Sequence, residues 1–124
     1  MELITKLSWG ALALIHLTPS LPIFRPNMIE KLYGADPAGD LGLLMTHRSG
    51  LFLAVFVATL FAIFNDEARR LATIVVGISM ISFLVLYLQA GLPGGPLQKI
   101  AIADAIGIVP LALVIWQAWL HQSA

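Results

Sequence analysis

The fold is decided by the stretch LGLLMTHRSGLFLAVFVATLFAIF (residues 41–64), the link NDEARR (65–70) and the stretch LATIVVGISMISFLVLYLQA (71–90). Each apolar run is as long as the roughly 20 residues a helix needs to cross a bilayer's hydrocarbon core. A link this short makes the two helices antiparallel neighbours. Toward the N-terminus, a further apolar segment covers about 3–21, interrupted by Lys6 and His16 and closed at Pro19 and Pro22, which cannot continue a regular helix. Toward the C-terminus, Gly91-Leu92-Pro93-Gly94-Gly95-Pro96 must turn, and a last apolar segment covers about 97–120. Pro110 inside it predicts a kink and a freed carbonyl one turn earlier. The pattern predicts an all-α, integral membrane four-helix bundle, a single domain of spans 3–21, 41–64, 71–90 and 97–120.

Composition agrees. Of 124 residues, 59% are hydrophobic and 11% charged, whereas a soluble domain carries about a quarter charged residues. Four spans use most of the chain and leave no room for a soluble catalytic domain. Seven basic and seven acidic residues cancel, so no charge run points to nucleic acid as partner. With no cysteine, thiolate catalysis, disulfide exchange and cysteine-ligated metal clusters are excluded. The segment Leu17-Thr18-Pro19-Ser20-Leu21-Pro22 offers no small-x-small cleavage site, so the first segment reads as a retained span and not a signal peptide.

The longest connection, 22–40, contains Pro26-Asn27-Met28-Ile29-Glu30-Lys31-Leu32-Tyr33. Proline near its start, helical apolar spacing and Gly34 as a stop predict a short amphipathic helix lying on the surface between spans one and two. Trp9, Trp116 and Trp119 fall near span ends on one membrane face, and Tyr33 and Tyr87 toward the other, as interfacial aromatics do. Lys6, Arg69 and Arg70 share the side of the termini, against Arg25, Lys31 and Lys99 opposite. Arg69 and Arg70 occupy the shortest loop, which favours cytoplasmic termini.

Among the charged residues, only Arg48 and Asp104 fall well inside apolar segments. Each lies roughly 10 Å along its helix from the same membrane face, and an unpaired charge there costs several kcal/mol, about 3 at the least. His16, near the end of span one, and His47, beside Arg48, reach a similar depth. His16, His47, Arg48 and Asp104 therefore form a candidate polar layer, with Tyr87, Gln89 and Tyr33 as candidate ligand-binding residues at its rim. Such a layer can do proton chemistry if its pKa values are shifted. Two bland readings stand beside it: an Arg48–Asp104 tie that only fixes helix packing, and histidines bonded to backbone carbonyls or to Asp104.

Two histidines on separate helices would also permit a bis-histidine haem or a metal, but neither Asp104 nor Glu30 completes a recognised ligand spacing. No metal is expected, and no cofactor can be named. Gly91–Pro96 lacks the Lys-Ser/Thr of a phosphate loop, and no Gly-x-Ser-x-Gly or His-Glu-x-x-His occurs. Thr73 with Gly77, and Ala101 with Ala105, are small-x-x-x-small contacts. No internal repeat argues an inverted-repeat transporter.

Ile15-His16-Leu17-Thr18-Pro19, Leu32-Tyr33-Gly34, His47-Arg48-Ser49-Gly50-Leu51-Phe52 and Ala103-Asp104 together resemble a group of small bacterial four-helix membrane proteins related to the DoxX-like superfamily. The resemblance covers nearly the whole chain on short motifs and implies a four-helix bundle in the bacterial inner membrane. Members often carry the label phosphopantetheine adenylyltransferase. That soluble enzyme has a Rossmann-type α/β fold and a His-x-Gly-His motif, and neither is legible here. Some DoxX-like relatives are linked to sulfur or quinone redox systems, which the missing cysteines do not favour in this chain. The leading expectation is a bundle holding a hydrophobic small molecule (lipid, isoprenoid or quinone) with its polar end at the layer, and acid–base catalysis as an extension. The alternative is a noncatalytic membrane subunit, with a homo-oligomer or a membrane-protein partner.

Overall fold

The computed structural model describes residues 2–25, 27–33 and 38–120, except for the side chains at 29, 32 and 33. Among the described residues the chain is helical throughout, without strands. Helix α1 covers Glu2–Ser20 and runs into a 3-10 turn at Leu21–Ile23, where Pro22 removes a backbone donor. The short α2 covers Met28–Tyr33, α3 Gly39–Phe64, α4 Arg69–Gln89 and α5 Pro96–Ile115. The helix bounds lie close to those expected from the hydropathy pattern. Helix α5 stays α-helical through Pro110 and ends in a π-helical turn, Trp116–Leu120.

Three segments are long and apolar enough to cross a membrane: Gly39–Phe64, Asp66–Gln89 and Pro96–Leu120. Helix α1 is not among them, because Thr5, Lys6, Ser8, His16 and Thr18 dilute its apolar residues. Lys6 and Thr18 are exposed, but the rest are sorted. Thr5, Ser8, His16 and Ser20 are buried inside the bundle, while Leu3, Leu7 and Leu14 are exposed. Helix α1 packs between α3 and α5, and α4 closes the bundle against α5 and, over a smaller area, α3.

A close-packed core fills the half of the bundle nearest the chain termini. Trp9 and Leu12 of α1 meet Ala62 of α3, Val76 and Met80 of α4, and Leu111 and Val114 of α5. Trp9 is completely buried, which corrects its expected place as an interfacial aromatic. It shares a helical face with Thr5, Leu12 and His16, and that face points inward. Trp116 and Trp119 stay partly exposed. Several buried hydroxyls bond carbonyls of their own preceding turn, as with Ser8 to Ile4, Ser49 to Met45 and Thr59 to Phe56, whereas Thr5 Oγ1 and Trp9 Nε1 find no partner among the described residues. The backbone bonds satisfy the former where no water reaches.

Arg69 ties three elements together at this end. Its buried guanidinium donates from Nε to the Ala62 carbonyl at 2.8 Å and from Nη2 to the Ile63 carbonyl at 3.1 Å. It also pairs with Glu2 at 2.8 Å and Asp66 at 3.0 Å. The last carbonyls of α3 would otherwise lack partners, and the fork of donors fits them while holding the start of α1. Beside it, Arg70 donates to the Ala118 carbonyl and lies over the Trp119 ring, whose Nε1 donates to Thr73 at 2.8 Å.

Candidate functional site

The other half of the bundle, toward α2 and the α4–α5 turn, is polar and open. His16 is buried at its inner edge, with Nδ1 2.8 Å from the Leu12 carbonyl one turn back. A carbonyl only accepts, so Nδ1 carries the proton. In the neutral ring Nε2 then accepts from the Ser79 hydroxyl at 3.1 Å, joining α1 to α4 diagonally across the bundle. The Phe52 ring of α3 tilts against the imidazole at 5.9 Å between centroids.

Arg48 is one turn before Phe52 on α3, and its guanidinium lies 4.7 Å from the centre of that ring. It lines a cavity of about 360 Å³ between α3 and α4, with Phe52, Val75, Ser79 and Phe83. Asp104 lines a different and larger cavity of about 730 Å³ between α1 and α5. Its walls are Leu14, Ile15, Pro19, Ile100 and Ala103, and Lys31, Gln98 and Lys99 also border it.

Asp104 is 8% exposed. Among the described residues no hydrogen-bond donor reaches its carboxyl and no ion pair with Arg48 forms, although the guanidinium charge acts on it at longer range. The expected Arg48–Asp104 tie is therefore not a direct contact: α3 turns the arginine toward α4, and α5 turns the aspartate toward α1.

The expected layer is thus only partly assembled. His16, Arg48 and Asp104 occupy the same half of the bundle, but His47 is exposed on the outside of α3, about 100° around the helix from Arg48, and borders neither cavity. With His47 outside and both His16 nitrogens engaged, the two histidines do not make a pair of axial haem ligands. Tyr87 stacks on Phe83 and donates its hydroxyl to the Pro93 carbonyl, closing the α4–α5 turn. Gln89 is exposed at the end of α4 and lines neither cavity. The side chain of Tyr33 lies outside the described residues. No three His, Asp or Glu side chains gather as metal ligands among the described residues.

Four contributors escaped the sequence reading of the site. Phe52, four residues after Arg48, was legible from helical spacing. Lys99, in the first turn of α5 five residues before Asp104, was legible as a basic rim on the same helix. Lys31 and Ser79 depend on how α2 and α4 are placed against the rest, for which the sequence carries no signal.

The arrangement can hold an apolar molecule beside a buried carboxyl. It gives His16 no opening through which to exchange protons with such a molecule, since His16 lines neither cavity. No protein-family model matches the chain, and no curated protein or solved structure shows significant similarity to it.

Proposed function

We propose that the chain is a four-span protein of the bacterial inner membrane, related to the DoxX-like group, that binds a hydrophobic small molecule in the cavity between α1 and α5. The observation that carries this reading is that cavity: about 730 Å³, with mostly apolar walls, and lined by the Asp104 carboxyl, to which no described residue donates. Its size falls within the range of about 300 to 1,000 Å³ typical of ligand sites. A lipid, isoprenoid or quinone has the matching form, with an apolar body and a polar end. The reading is one of binding; His16, whose ring nitrogens are taken up by Leu12 and Ser79, is not placed to act on the occupant.

Helix α1 counts as the fourth span because Thr5, Ser8, His16 and Ser20 face the other helices while Leu3, Leu7 and Leu14 face outward, the sorting that lipid as solvent demands. With the termini in the cytoplasm, the cavity mouth and the α4–α5 turn face the periplasm. Single cysteines placed in this cysteine-free chain test that orientation in intact cells. Gly94→Cys should react with an impermeant thiol reagent and Asn65→Cys should not; the opposite pattern reverses the topology.

Occupancy is tested by native mass spectrometry of the protein released gently from its own membranes. A discrete adduct is expected on the wild type and should be lost in Ala103→Trp, which fills the cavity. Bare wild-type protein, or an adduct indifferent to the filled cavity, would sink the reading and favour a noncatalytic subunit that works through a protein partner.

A further inference from the structure

Resting on that binding reading, we infer that the occupant is a single-chain amphiphile with an anionic phosphate head at Lys31 and Lys99 and a hydroxyl that donates to Asp104.

The charge at the mouth comes from two separate elements. Lys31 projects from α2 and Lys99 from the first turn of α5, both are exposed, and both border the cavity. Among the described residues neither ammonium has a carboxylate partner. The start of α5 adds to the same field: Gly95 and Pro96 line the cavity, and the opening turn of a twenty-residue helix presents partial positive charge. Gly95 sits at φ +89°, a conformation that a side chain would strain, so the backbone turns into α5 there without a Cβ. Lysines at a membrane face extend their heads toward the polar interface and leave their stems on apolar surface. Two of them, from α2 and α5, suit a phosphate.

Asp104 supplies the second, independent half of the argument. It lies five residues deeper on α5 than Lys99, about 7.5 Å along the axis, and is more than nine-tenths buried at the cavity wall. No described residue donates to it, and a buried carboxyl without a donor is costly. A hydroxyl on the occupant, between the phosphate and the chain, would supply the missing donor at the depth where Asp104 stands. The chain lies against Leu14, Ile15, Ile100 and Ala103, the apolar wall of the same cavity. A plain prenyl phosphate satisfies the first of these two demands only, and a quinone, neutral and with carbonyls that only accept, satisfies neither.

The test uses the full chain in detergent with three probes of one acyl length. They are a lysophosphatidic acid, its analogue lacking the glycerol hydroxyl, and the corresponding neutral monoacylglycerol, with dissociation constants read by equilibrium dialysis. The lysophosphatidic acid should bind about tenfold more tightly than either of the others, the factor expected for one charge-assisted contact. In Lys31→Gln/Lys99→Gln its advantage over the monoacylglycerol should vanish while the monoacylglycerol itself binds as before. Both lysines are exposed, so folding is not at risk. In Asp104→Val the preference for the hydroxyl should vanish while the preference for phosphate stays; should that variant misfold, the wild-type comparison of hydroxylated and deoxy probes decides alone.

Equal binding of the neutral and phosphate probes, blocked by Ala103→Trp, overturns the head-group assignment and leaves the cavity's binding role standing. Equal binding of the hydroxylated and deoxy probes overturns the role given to Asp104. If no probe binds and no native adduct is found, this inference and the binding role both fall.

Discussion

The two halves of this bundle are built from the same helices and solve opposite problems. Near the termini, Trp9, Leu12, Val76, Leu111 and Val114 are buried against small neighbours such as Ala62 and Ala72, and helices tie together through the buried Arg69. Toward α2, two cavities open between the same helices, and Asp104 stands at one of them with no donor among the described residues. The difference teaches that polarity alone does not mark a site among packed apolar helices. Arg69 is as buried as Asp104 and more charged than His16, yet every face of its guanidinium meets a partner. Among the described residues no donor reaches Asp104, and it stands at a cavity. What separates a structural polar group from a candidate ligand contact is the open valence beside empty space.

The largest effect expected from this contrast is at Trp9. Trp9→Ala should cost about 4 kcal/mol in the packed half. Ile100→Ala, at a cavity wall in the open half, should cost about 1 kcal/mol or less, because few packing contacts are lost there. Reversible unfolding in mixed micelles measures both, and equal costs would erase the distinction between the halves.

Next, Arg69→Ala should cost about 3 kcal/mol, since it strips the Ala62 and Ile63 carbonyls and Glu2 of a charged donor. Arg69→Lys should recover only part of this, since an ammonium cannot span all four partners. A loss no greater than that of an exposed arginine such as Arg25 would show that this end is not held by the fork.

Ser79→Ala should cost about 1 kcal/mol by leaving His16 Nε2 without its donor, with no change in ligand affinity. A large change in affinity would bring His16 back into the site.

The smallest effect belongs to Glu2, at the first residue of α1. The hydrogen bond from Arg69 holds its carboxyl below the ordinary value of 4.5. A lowered folded-state value means its contribution is whole above that ordinary value and is lost as the pH falls through the lowered one. The wild type should therefore melt slightly higher than Glu2→Gln at neutral pH, with the gap closing in acid; a gap that widens in acid would reverse the sign. Glu2 is more than half exposed, so the gap is small.

Read as a sequence, the chain determines where its helices begin and end. Asn65–Arg70 and Gly91–Pro96 can only be connections, and the apolar lengths between them can only be helices. The depth of His16, His47, Arg48 and Asp104 follows from the same count at 1.5 Å per residue. Rotation about each helix axis does not follow. In water, one apolar stripe on each helix marks the buried face; here the outward faces carry Leu14, Leu51, Ile78 and Ile106, as apolar as the core, so no stripe distinguishes inside from outside. Only the packed tertiary structure turned Trp9 into the core, His47 out of it, Arg48 toward α4 and Asp104 toward α1. The cavity beside Asp104 arises from that rotation and from the spacing of α1 against α5, which depend on contacts between residues far apart in the chain.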